Sequence, residues 1–145
     1  MMSAAQVYYI SEKHNPTARE LANSLAHEIE YKCVDRESKG DGQIVRQILV
    51  QAPKPLIIHF MDDDAEVPVK ARQLAEGVKP SIDKAIYDNF RRCDRRFDIV
   101  PVTQSNGSLD PSQGDLREVV DELAMLVDGF IYDRVNQQFA AVYEE

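Results

Sequence analysis

Cysteine is scarce in this chain: Cys33 and Cys93 are the two thiols among 145 residues. Their separation makes neither a disulfide framework nor a metal-ligand pair, so a reducing compartment, the cytoplasm, is the expectation. Long apolar runs are missing too, which excludes a membrane-spanning helix by sequence. The stretch from Val7 to Ile10 is too short, and lacks the preceding basic segment, to read as a secretory signal. No internal repeat, low-complexity tract or linker divides the chain, and its length suits one domain over 1–145 with a core of its own. Positive charge is in deficit, with 17 Lys and Arg against 25 Asp and Glu and a net charge of −8. That balance opposes long-range attraction to nucleic acid or an anionic membrane, and leaves any such binding to a local basic patch. A phosphate-binding P-loop is excluded as well, because "GDGQ" from Gly40 lacks its lysine and serine.

What is present alternates between strand and helix patterns. "QVYYI" reads as a strand, and Asn15 with Pro16 then offers an N-cap and a first helical position. Ala18, Leu21, Ala22, Leu25 and Ile29 follow at helical spacing. "YKCVD" suits a second strand, while Ile44, Val45, Ile48 and Leu49 again suit a helix, closed by "APKP". "LIIHFM" is apolar without a break, as in a strand buried on both faces of a parallel sheet. Pro68 opens a helix that Gly77 closes, and a further helix is expected from Ser81 to about Arg92. A strand from Phe97, "FDIVPV", precedes the loop "TQSNGSLDPSQG" and an amphipathic helix carrying Leu116, Val119, Val120, Leu123 and Val127. The tail "GFIYDRVNQQFAAVYEE" suits either a helix or a hairpin. Strands alternating with helices predict an α/β fold, a three-layer α/β/α sandwich with a mainly parallel central sheet of Rossmann-like kind.

In such a sheet ligands bind beyond the carboxyl ends of the strands. Acidic residues fall at three of these ends: Glu12 after the first strand, Asp62 to Asp64 after "LIIHFM", and Asp110 in the loop after the fourth. Neighbouring carboxylates repel unless they are solvated or neutralised by a cation. A hard cation such as Mg²⁺ or Mn²⁺ takes one or two carboxylates from each of two loops and keeps several waters. Helix capping is the competing use of the aspartates, since acids are favoured at helix N-termini.

Three stretches taken together resemble a family. "YYISEKHNPTARELANSL", "LIIHFMDDDAEVPVKARQLAE" and "FDIVPVTQSNGSLDPSQGDLREVVDEL" are similar in order and separation to the Toprim domain of bacterial primases, topoisomerases and related nucleases. The resemblance covers Gln6 to about Leu126. It implies Mg²⁺ or Mn²⁺ held by Glu12, Asp62 and Asp64, with Asp110 and Pro111 at the "DP" position. It departs from the family where Lys13 replaces the glycine after the glutamate, and where Ala65, Glu66 and Val67 stand in place of the glycine after D-x-D.

The function expected on this basis is metal-dependent phosphodiester or phosphoryl transfer on nucleic acid or a nucleotide, the metal stabilising charge on the attacked and leaving oxygens. Glu12 and His14 are the candidate catalytic residues, His14 because it lies beside Glu12 in the loop. Lys13 and the "FRRCDRRFD" arginines, Arg91, Arg92, Arg95 and Arg96, are the candidate phosphate grip. The same arginines also serve as dipole compensation and ion-pair partners at a helix end. Cys93 among them has no histidine placed beside it by sequence, and His59 inside its strand reads as a core histidine. The alternative function is a non-catalytic TIR-like or receiver-like module that recognises a nucleotide or a protein partner. A sugar-transfer enzyme using Glu66 or Glu76 ranks last, because neither has a definable second carboxylate.

Overall fold

The computed structural model describes residues 5–40, 43–61, 65–102, 114–133 and 138–140. In chain order these form β1 (Ala5–Tyr9), α1 (Ala18–Glu28), β2 (Cys33–Gly40), β3 (Gln43–Val50), β4 (Leu56–Phe60), α2 (Glu66–Val78), α3 (Lys84–Phe90), β5 (Arg95–Pro101), α4 (Gly114–Val127), β6 (Phe130–Asp133) and β7 (Gln138–Ala140). A 3₁₀ turn, Lys79–Ser81, lies between α2 and α3. The strands make one seven-stranded sheet in the order β2-β3-β4-β5-β1-β6-β7. Every neighbouring pair in it is antiparallel.

This overturns the expected mainly parallel sheet, and with it the Rossmann-like, TIR-like and receiver-like layouts. One cause is β5, which lies between β1 and β4 and runs antiparallel to both; another lies in a single segment. Ile44, Val45, Ile48 and Leu49 fit helical spacing, but Gln43–Val50 is a strand paired along its length with Cys33–Gly40. Without a helix there, no crossover separates β2 from β3. Ile48 and Val50 are buried while Val45 is exposed, a two-residue alternation that a β-branched run supports and its neighbours enforce. β4 likewise alternates between buried and half-buried positions, so its unbroken apolarity does not signal burial on both faces. β1 is buried at every position. The tail resolves as the β6–β7 hairpin.

Helices pack on both faces around β1. Val7 and Tyr9 share a core with Leu21 and Leu25 of α1, Val119 and Leu123 of α4, and Ile58 and Ile99 of the sheet. Tyr8, on the opposite face by strand alternation, joins Val67, Ala71 and Ala75 of α2, Phe90 of α3 and Phe130 of β6. Each face has an aromatic centre. Phe97 stacks on Tyr9 at 4.6 Å and meets Phe60 edge-on at 5.0 Å; Phe90 stacks on Phe130 at 4.9 Å.

Helix ends follow local chemistry. Thr17, not Asn15, is the N-cap of α1: its side chain accepts from the Glu20 N–H, and the Glu20 carboxylate accepts from the Thr17 N–H at 2.9 Å. Pro68 falls within the first turn of α2, where a missing N–H is tolerated. Gly77 lies inside that helix and does not terminate it. α4 ends in a left-handed Asp128, φ 52°, followed by Gly129, whose N–H donates to the Ala124 carbonyl at 2.8 Å, a Schellman-type closure.

The two helix-end glycines have opposite surroundings. A Cβ at Gly77 would meet nothing within 4 Å, whereas one at Gly129 would lie 2.7 Å from Val7 Cγ1 and 2.8 Å from the Tyr8 carbonyl oxygen. Gly77→Ala is therefore expected to raise stability by about 0.4–1 kcal/mol, and Gly129→Ala to lower it by about 1–3 kcal/mol through overpacking. Urea unfolding of the two variants beside the parent checks both signs.

Candidate functional site

β1 and β4 each pair antiparallel with β5, so they run the same way and end at the edge where β5 begins. The loop leaving β1 is clamped there. The Ser11 N–H donates to Asp94 Oδ1 at 2.9 Å and its hydroxyl to Oδ2 at 2.8 Å, while the Asp94 N–H returns to the Tyr9 carbonyl at 3.1 Å. The Lys13 and His14 N–H groups both donate to the Ile10 carbonyl, at 3.0 and 3.1 Å. A carboxylate bridging two strand ends holds the next three side chains outward.

Those three side chains are Glu12, Lys13 and His14, and each takes a different partner. Glu12 Oε1 is 3.7 Å from Arg92 Nη2, with both side chains exposed. Lys13 Nζ donates to Asn89 Oδ1 at 3.3 Å, and His14 Nε2 lies 3.0 Å from Asp128 Oδ2. The loop thus meets the end of α3 on one side and the end of α4 on the other. Asp62, Asp64, Asp110 and Pro111 lie outside the described residues. Among the described residues no three His, Cys, Asp or Glu side chains converge as a metal site.

The arginines, adjacent in sequence, separate in space. Arg91 sits over the Tyr87 ring at 5.6 Å, and Arg92 pairs with Glu12. Arg95 and Arg96 are successive strand residues and point to opposite faces. Arg95 donates to the Asp94 carbonyl at 3.4 Å. Arg96, with 12% of its side chain exposed, forms a bidentate pair with Asp98, Nε to Oδ1 at 2.7 Å and Nη2 to Oδ2 at 3.3 Å, and donates from Nη1 to the Tyr8 hydroxyl at 3.4 Å. Tyr8 in turn donates to Gln6 Oε1 at 3.1 Å. Burial raises the Tyr8 phenol and Arg96 opposes that shift; burial also pushes Tyr9 up to about 12. Cys93 is buried, and burial with the neighbouring Asp94 raises its thiol against Lys13 and Arg92. The arginines do not make it a nucleophile. Glu76 accepts the Tyr87 hydroxyl and ties α2 to α3.

One constellation has no signature in the sequence. Arg36, Gln47, His59, Asp98, Gln6 and Tyr132 stand directly opposite one another across six strands. Because opposed residues share a face, they form a single polar row. Arg36 Nη2 donates to Gln47 Oε1 at 3.2 Å, and Gln47 Nε2 lies 3.4 Å from His59 Nδ1. The residues are scattered from 6 to 132, and pairing register is the signal that unites them.

No protein family, curated protein or solved structure matches this chain. Geometry and charge therefore carry the functional reading. Among the described residues no helix is long and apolar enough to cross a membrane.

His59 provides a pH test of the row. Burial lowers its pKa, outweighing the Asp98 carboxylate, which acts to raise it; Arg36 adds to the lowering. The folded state therefore resists protonation, and stability present above the ordinary histidine value of about 6.5 is lost as pH falls from there through the lowered folded value. The melting temperature of His59→Gln should decline less than the parent's between pH 7 and pH 5 at fixed ionic strength. Parallel curves would show that His59 does not carry this dependence.

Proposed function

We propose that the protein is a recognition module for a phosphate-bearing partner, a nucleotide or nucleic acid, held at the rim formed by Lys13, Arg91 and Arg92. The observation that carries this reading is the division of labour among the charges at the β1 end. Asp94, Arg96 and Asp98 are tied into the clamp and the sheet, whereas Arg91 and Arg92 are exposed, beside the Asn89 that receives Lys13. Exposed cations in weak contacts exchange partners at little cost. Guanidinium groups also suit phosphate oxygens geometrically. On a chain of net charge −8 the attraction is local, so binding should fall steeply with salt. Both described cysteines are free thiols, which suits the cytoplasmic setting this reading assumes.

The test is fluorescence anisotropy with a labelled single-stranded oligonucleotide, and competition by ATP, across a salt series. Combined Lys13→Glu, Arg91→Glu and Arg92→Glu should weaken binding at least about tenfold and flatten the slope of log K against log salt by roughly 0.7 for each phosphate no longer neutralised. Arg95→Gln, outside the rim, should leave the slope as it is. Equal binding by the reversed variant would place recognition elsewhere.

A second reading, metal-dependent phosphoryl transfer with Glu12, Asp62 and Asp64 as ligands of Mg²⁺ or Mn²⁺, is favoured by the common direction of β1 and β4. It stands without the parallel sheet that the Toprim resemblance implies. A cation bound only by the folded state raises stability by about 2.7 kcal/mol at a hundredfold excess over its Kd. Melting in millimolar Mg²⁺ or Mn²⁺ against chelator, at constant ionic strength, should show that gain in the parent and its loss in Asp62→Asn and Asp64→Asn. A parent without a cation-specific shift would remove this reading.

A further inference from the structure

A cavity of about 310 Å³ lies between the β1 loop, the first turns of α1 and the end of α4. It shares Lys13 with the proposed rim but neither Arg91 nor Arg92. Lys13 and His14 line it from the loop, Glu20 and Ser24 from α1, and Leu21 and Leu126 supply an apolar base. Leu21 is buried in the α1–α4 core and Leu126 packs against that core, so the base is firm.

Both signs of charge border this cavity, and both are available. Glu20 is held in place because Oε1 accepts the Thr17 N–H at 2.9 Å, which leaves Oε2 for a ligand. The capping box already occupies the first N–H groups of α1, so the helix end itself is not the attraction. Lys13 spends its ammonium on an exposed hydrogen bond of 3.3 Å to Asn89, and exposed contacts of this kind contribute little. His14 is steadied by Asp128 across the loop.

A ligand with one charge would engage one wall alone, whereas a ligand with both would engage the two together, and that difference discriminates between them. The volume is at the small end of ligand pockets, roughly 300–1,000 Å³, and suits a single metabolite. We propose that the cavity binds an amino-acid-sized zwitterion with an apolar side chain. The ammonium lies on the Glu20 carboxylate and the Ser24 hydroxyl, the carboxylate on Lys13 and His14, and the side chain on Leu21 and Leu126.

Isothermal titration calorimetry of the full chain tests this with three probes: L-leucine, 4-methylpentanoate, which lacks the ammonium, and 3-methylbutylamine, which lacks the carboxylate. Leucine should bind saturably and about tenfold or more tighter than either analogue, as expected when one charge-assisted hydrogen bond is removed. Glu20→Gln keeps the capping box and should melt with the parent, yet bind leucine about tenfold more weakly while binding 4-methylpentanoate as the parent does. Combined Arg91→Glu and Arg92→Glu should leave leucine binding intact, which separates this site from the rim. The proposal is overturned if leucine gives no saturable heat, if an analogue binds as tightly, or if Glu20→Gln binds leucine like the parent.

Discussion

Backbone pairing of β5 with both β1 and β4 is the constraint on which the rest of this structure depends. Phe97 stands opposite Val7 on one side and Phe60 on the other, so one ring is enclosed by β1 and β4 and fills the centre of the α1–α4 face. The next residues in either direction, Arg96 and Asp98, are thereby turned to the other face, where they close a bidentate pair and reach Tyr8. The residue before the strand, Asp94, lands at the carboxyl end of β1 and clamps Ser11. Core, polar row and the exposed cationic rim are thus three consequences of one register. Removing the ring of Phe97 would cost about 3–5 kcal/mol by cavity formation, and the loss would reach the rim through Asp94.

The excess of acid is managed by position. Asp94 at the strand ends and Asp98 in the sheet are hydrogen-bonded, whereas others such as Glu28 and Glu118 are exposed on helices. On α4, burial together with Glu28, Glu118 and Asp121 raises the Glu122 carboxyl, so the side chains of that helix bear a mild repulsion. Few cations are spent inside the fold. Arg96 is deep because a planar guanidinium can satisfy two carboxylate oxygens and a phenol at once, whereas Lys13, Arg91 and Arg92 at the β1 end stay exposed. Side chains free to change partners are what recognition requires. An exposed cationic rim on a net-negative chain follows from geometry without any change in overall charge.

Much of the element order is legible in the sequence, and so is part of the candidate site. Helical spacing from Ala18 to Leu25, the amphipathic pattern from Leu116 to Val127 and the short strands at Val7 and Phe97 all read correctly because burial of one face imposes a period on the chain. Glu12, Lys13 and His14 are recognisable as the residues that leave a buried strand. The segment Gln43–Val50 misleads, because Ile44, Val45, Ile48 and Leu49 satisfy helical and strand spacing alike and only a partner strand removes the ambiguity. Arg95 and Arg96 group with Arg91 and Arg92 by proximity in sequence, which carries no information about face. The row from Arg36 to Tyr132 is invisible there, since its members come together solely through register.

By itself, then, the sequence determined which stretches would bury a face and that Glu12, Lys13 and His14 would follow a strand, because these depend on side-chain periodicity and local backbone chemistry. Strand direction, neighbour order and the separate destinations of the four arginines were decided by tertiary structure. Each depends on which distant backbone groups satisfy one another's hydrogen bonds, and a one-residue change in that pairing would turn every side chain of the strand to the opposite face.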